Sequence, residues 1–200
     1  MRRTLGAVLA VSLGLLLGDA GPAAAGPLDQ PGYAQAVTCS ACHGFNGNSR
    51  TEAVPILAGL SAAYFRKAIE DYAAGRRVSP EMEPFAKQIK QLGVDDLAAY
   101  FAAQKREPTP VKVDRAAVER GRAAAGQCAA CHGPEGQGDP AKVVPSIAGQ
   151  PAGYLRNQLL LFKADKRSPG DPELTKLKAI LRGIPDTTLA DVAAYYSSLR

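Results

Sequence analysis

"CSACHGFNGNS", Cys39 to Ser49, returns as "CAACHGPEGQG", Cys128 to Gly138, at an offset of 89 residues. Each stretch holds two cysteines three positions apart and follows the second with a histidine. Together they contain all four cysteines and both histidines of the 200-residue chain. Outward from them, the two halves of the chain keep matching. "PILAGLSAAYF" at Pro55 pairs with "PSIAGQPAGYL" at Pro145, an offset of 90, and "PEM" ending at Met82 pairs with "PEL" ending at Leu174, an offset of 92. "DLAAYF" ending at Phe101 pairs with "DVAAYY" ending at Tyr196, an offset of 95. The offset grows only between landmarks, so the extra residues belong to connecting loops, which tolerate insertion while the elements stay in register.

The repeat sets the domain organisation: a first domain over residues 26–104, a linker over 105–112, and a second domain over 113–200. The linker, "KREPTPVK", has two prolines among charges and reads as stiff and exposed. Residues 1–25 read as a secretory signal: Arg2 and Arg3, an apolar run from Leu5 to Leu17, then "GDAGPAAAG" with an A-x-A site ending at Ala25. That run is too short to cross a bilayer, which takes about 20 residues, so cleavage near Ala25/Gly26, a periplasmic product and no membrane span in the mature chain are expected.

Helices are expected throughout. "LSAAYFRKAIEDYAAG" and "PAGYLRNQLLLFKA" space apolar residues by three and four, and "VDDLAAYFAAQ" and "TTLADVAAYYSSL" open polar before an apolar face. "VDRAAVERGRAAAGQ" reads as one more helix, running into the second cysteine pair. No segment alternates convincingly enough for a strand. Each copy is small for a domain stabilised by its core alone, and a large buried cofactor would relieve the shortage.

The formal net charge is +5, with residues 26–104 at −1 and residues 105–200 at +5. Such an imbalance suits docking to an acidic partner. No basic run is present and the chain reads as exported, which argues against nucleic acid.

Cys39-Ser40-Ala41-Cys42-His43 and Cys128-Ala129-Ala130-Cys131-His132 have the spacing of c-type haem attachment, in which both thiols bond the haem and the histidine reaches the iron. A disulfide framework would suit an exported chain but gives no reason for a histidine after each pair. A thioredoxin-like site lacks its sheet context, and a zinc site would have to draw on two separated motifs. Two covalently bound haem c groups are the expected cofactors.

With those motifs, the following Pro and "AG" segment, a methionine loop and a C-terminal "AAYF" helix, the chain resembles the diheme cytochromes of the cytochrome c4 family. The cytochrome subunit of flavocytochrome c sulfide dehydrogenases is similar in build. The resemblance implies an all-α protein of two tandem class I cytochrome c domains in a pseudo-twofold arrangement. By the same resemblance Cys39, Cys42, Cys128 and Cys131 bind the haems, His43 and His132 are iron ligands, and the carbonyls of Pro55 and Pro145 orient those histidines.

Met82 is the methionine of the first copy, in a proline-flanked loop, and it is the expected sixth ligand of the first haem; a thioether favours the ferrous state. Leu174 stands in that slot in the second copy, and leucine cannot bind iron. The second iron is left vacant or water-bound, or is taken by Lys176 or Lys178 once the metal displaces a proton from an amine whose reference pKa is near 10.4. The expected function is electron transfer, without bond-making catalysis, between a respiratory or dehydrogenase donor and a terminal oxidase or reductase, with docking at a membrane-bound oxidase. Two alternatives remain: an electron-accepting subunit of a dehydrogenase complex, or ligand binding or catalysis at an open second haem.

Overall fold

A computed structural model describes residues 29–199. The signal-peptide reading therefore lies outside the described residues. Among them nine α-helices occur: α1 (Tyr33–His43), α2 (Ala62–Ala73), α3 (Met82–Leu92), α4 (Asp95–Ala103), α5 (Arg115–Ala124), α6 (Gly126–His132), α7 (Ala152–Lys163), α8 (Thr175–Arg182) and α9 (Asp186–Ser198). The described residues contain no strand, only two isolated bridges, Arg77 to Arg167 and Asp139 to Val144. None of their helices is long and apolar enough to cross a membrane.

The first half builds its core from α1 to α4. Phe65, Ile69 and Tyr72 on α2 meet Leu97, Ala98, Tyr100 and Phe101 on α4, with Ala36 and Ala86 between them. In the second half Leu155 of α7 packs with Val192, Ala193 and Tyr196 of α9 and with Ala125. Each buried large apolar side chain contributes about 1.5–3 kcal/mol. The first and last helices of each half cross at a glycine. A Cβ on Gly121 of α5 would fall on the Asp191 carbonyl of α9, and a Cβ on Gly32, just before α1, would fall on the Asp96 carbonyl of α4. Gly32 and Gly121 are themselves 89 residues apart, so one close-approach device serves both copies.

Three readings of the sequence differ from the structure. The segment read as one helix running into the second cysteine pair is two, because the chain turns at Ala125 between α5 and α6. The methionine loop is the start of a helix. Met82 opens α3, and Pro84 is tolerated there because the first four N–H groups of a helix have no partner inside it. Met82, Ala86 and Ile89 then lie on the face that packs against the first core. The linker, read as exposed, is partly buried against both halves. Arg106 donates through Nε to the Ala58 carbonyl at 2.9 Å and through Nη1 to Ser146 Oγ and the Ala148 carbonyl, both at 3.1 Å. The linker's Thr109 is buried and donates its N–H to the Gly149 carbonyl at 3.3 Å. One arginine thus ties the linker to matching loops of both halves, since Ala58 and Ala148 are repeat equivalents.

Beside this strap the halves meet along a seam. The Gln150 side chain accepts from Ile56 N–H at 2.9 Å and donates to its carbonyl at 2.8 Å. Tyr154 N–H donates to the Glu52 carbonyl at 2.9 Å, and Ser168 N–H donates to the Arg76 carbonyl.

Candidate haem-binding sites

The first cysteine pair lies in the last turns of α1 and the second in α6, so C-x-x-C spacing sets the two thiols about one helical turn apart. No disulfide joins any of the four cysteines; Cys39 and Cys128 are partly buried, and Cys42 and Cys131 are exposed. Burial raises the pKa of Cys39 and Cys128. Each motif histidine ends its helix, and the next residue, Gly44 or Gly133, turns the chain away with positive φ.

The imidazoles are fixed in the same way. His43 Nδ1 donates to the Pro55 carbonyl at 2.9 Å, and His132 Nδ1 donates to the Pro145 carbonyl at 3.0 Å. With the proton on Nδ1, the Nε2 lone pair is left for a metal. Burial lowers the pKa of both rings against the opposing pull of the proline carbonyls, and Arg167 lowers that of His132 further. A neutral imidazole is the form that ligates. The proline loops are positioned by equivalent bonds: Leu57 N–H donates to the Gly47 carbonyl and Ile147 N–H to the Gly136 carbonyl, both at 2.8 Å. Gly59 N–H and Gly149 N–H reach the carbonyls of Phe101 and Tyr196, both at 2.9 Å.

This donor set fits haem c. Each copy offers two unpaired thiols one turn apart and an imidazole that is buried or partly buried with Nδ1 already engaged. Among the described residues no cluster of three or more His, Cys, Asp or Glu side chains forms a competing metal site.

On the methionine side the copies diverge. Met82 is partly buried and packs on the same core cluster as Cys39. Leu174 closes a short 3-10 turn, Pro172–Leu174, ahead of α8. Lys176 is exposed, and Lys178 is 4 % exposed with its amine engaged: Nζ donates to Asp165 Oδ1 at 2.6 Å and to the Ser168 carbonyl.

The structure adds groups that motif reading missed. Tyr196, the counterpart of Phe101, is buried in the second core beside Cys128, its hydroxyl without a hydrogen-bond partner among the described residues, and burial pushes its pKa up to about 12. Gln150, Arg77, Arg106 and Arg167 hold the seam. The repeat carried a signal for part of this, because Tyr64 and Tyr154, and Arg77 and Arg167, are both 90 residues apart.

A tandem pair of such units is the build of a diheme class I cytochrome c, which transfers electrons on two covalently bound haem groups. The cytochrome c family model matches residues 118–200. Cytochrome c4 of Pseudomonas aeruginosa is 33 % identical over 198 residues, covering 96 % of this chain and 98 % of that protein. A thiosulfate dehydrogenase electron acceptor of Stutzerimonas stutzeri is 33 % identical over 181 residues, covering 82 % of this chain and 80 % of its own. The crystal structure of reduced recombinant cytochrome c4 from Pseudomonas stutzeri superposes with a TM-score of 0.74 at 27 % identity, over 84 % of this chain and 97 % of that one. The chain belongs to the cytochrome c4 family.

Proposed function

We propose that this cytochrome is an exported, periplasmic carrier in which Cys39, Cys42 and His43 hold one haem and Cys128, Cys131 and His132 the other. Met82 completes the first iron, and the second iron has no side-chain sixth ligand. The haems supply the one-electron chemistry, and the chain binds them, orients them and sets their potentials. The matched geometry of His43 on Pro55 and His132 on Pro145 carries this reading, because it prepares two imidazoles in the same tautomer directly after two thiol pairs. For the second iron, support comes from Leu174 in the methionine slot and from the ion pair that already uses the Lys178 amine.

Electrons enter at one haem and leave from the other toward a terminal oxidase or reductase. Because a thioether favours the ferrous state, an electron rests on the first haem. The similarity to a thiosulfate dehydrogenase electron acceptor favours a dehydrogenase of reduced sulfur compounds as donor.

Electron paramagnetic resonance of the ferric protein tests the iron ligation. One low-spin and one high-spin haem of equal weight are expected, with carbon monoxide binding to one iron per chain after reduction. Two low-spin signals in the wild-type protein would refute a second iron without a side-chain ligand, and loss of one of them in Lys178→Leu or Lys176→Leu would identify that ligand as lysine. A stable complex with a dehydrogenase on co-purification would identify a subunit, and a freely exchanging carrier would run alone.

A further inference from the structure

Tyr196 puts a hydroxyl where the first copy has none. The residue is 2 % exposed, and its ring sits as that of Phe101 does in the twin: a Cβ on Gly136 would meet Tyr196 Cδ1 at 2.8 Å, and one on Gly47 would meet Phe101 Cδ1 at 2.9 Å. In the first copy that ring packs on Phe65, centroids 5.5 Å apart, and carries no polar atom. Phenylalanine fills the space, so packing gives no reason for the extra oxygen.

A phenol oxygen buried without a partner gives up its hydrogen bonds to water and receives nothing in return. Elsewhere the chain avoids this. Tyr64 Oη accepts from Arg167 Nη2 at 2.9 Å, and Tyr100 Oη donates to Asn46 Oδ1 at 2.8 Å. Tyr196 Oη has no such partner among the described residues. The buried residues packed with it, Ala125, Leu155, Val192 and Ala193, offer no polar side-chain atom. Cys128 also packs on that cluster, and its sulfur lies close enough to push the Tyr196 hydroxyl further above the ordinary tyrosine value. The hydroxyl therefore keeps its proton at neutral pH and stays a donor.

A cysteine sulfur bonded to haem is a thioether, an acceptor with no proton of its own. We propose that Tyr196 Oη donates a hydrogen bond to the Cys128 sulfur that holds the second haem, and so raises the potential of that haem. This deepens the function proposed above and rests on its assignment of the second haem to Cys128, Cys131 and His132. Donation draws electron density from the haem's substituent and favours the electron-rich ferrous state, since hydrogen bonding around a haem is one of the levers a protein has on potential. The position of the hydroxyl answers an imbalance. The second iron lacks the thioether that Met82 gives the first, which lowers its potential, and Tyr196 returns part of the difference. The two haems stay closer in potential, and an electron on the first is not trapped there.

Redox titration of the mature holoprotein and of Tyr196→Phe, with mass confirming two covalent haems per chain, tests this. A haem missing from the wild-type protein would count against the two-haem reading and not against the tyrosine. The variant should fold, because phenylalanine is the residue the twin position already uses. Loss of the bond should shift the ferric–ferrous equilibrium of one haem about threefold toward ferric, about 28 mV at 59 mV per tenfold, and leave the other within about 1.3-fold. The haem that moves should be the one whose potential does not respond to Met82→Leu. In resonance Raman, a thioether carbon–sulfur stretching band of the wild-type protein should shift on transfer to D2O and lose that sensitivity in the variant. An unshifted equilibrium, an equal shift at both haems, a shift at the Met82-responsive haem or a shift toward ferrous would overturn the proposal. So would wild-type carbon–sulfur bands indifferent to D2O, a result that stands even where the variant fails to mature.

Discussion

Replacing Gln150 with leucine removes the one side chain that satisfies both backbone groups of Ile56. Ile56 is fully buried at 0 % exposure, and its N–H and carbonyl each bond the Gln150 amide, at 2.9 and 2.8 Å. Leucine keeps the volume, so the change isolates hydrogen bonding from packing. Each orphaned buried group costs about 1–3 kcal/mol, which gives about 2–6 kcal/mol for the pair. Against a typical total of about 5–15 kcal/mol this is a large fraction. The lost bonds join residues 94 apart in sequence, across the seam, so the two halves should cease to unfold together. Guanidinium denaturation followed separately at the haem absorption and by far-ultraviolet circular dichroism measures this. Coincident wild-type transitions should separate in the variant, with the midpoint lowered at unchanged haem content. A loss below about 0.5 kcal/mol with transitions still coincident, the behaviour of an ordinary surface substitution, would refute the reasoning.

Gly121→Ala should cost about 1–3 kcal/mol or more by overpacking, because the new methyl meets the Asp191 backbone carbonyl and not a side chain that can move; a melt of the holoprotein checks it. Met82→Leu should make the first haem resemble the second, so that the reduced variant binds two carbon monoxide molecules per chain in place of one, as read by optical titration. Arg120 bonds both oxygens of Asp191 at 2.7 and 2.8 Å and holds its carboxyl below the usual range. A depressed folded-state value adds stability above the unfolded value near 3.8 that is lost as pH falls through the folded one. Acid titration should therefore show wild type more stable than Asp191→Asn at pH 5–7, with the advantage lost as pH falls below 3.8 and through the lower folded-state value.

How far the site could be read depended on whether the information was local. Cys39-x-x-Cys42-His43 and its twin specify chemistry within five residues, and the offsets of 89 to 95 then place Pro55, Pro145, Met82 and Leu174 in register. Periodicity likewise found α2, α7, α4 and α9. It missed α3 and α8 because Pro84 and the Pro172 turn look like loop punctuation, although proline in the first turn of a helix removes only a donor that would be unpaired.

The sequence by itself determined the cofactor class, the doubling of the fold and the asymmetry between Met82 and Leu174, all of them properties of residues close together or repeated in order. Only the tertiary structure decided that Arg106 is a strap and not a spacer, that Lys178 is held by Asp165, and that Arg77 and Arg167 share one amide oxygen. Those contacts join residues 9 to 81 positions apart through packing within and between the two halves, and the strength of a buried charge depends on which neighbours that packing supplies.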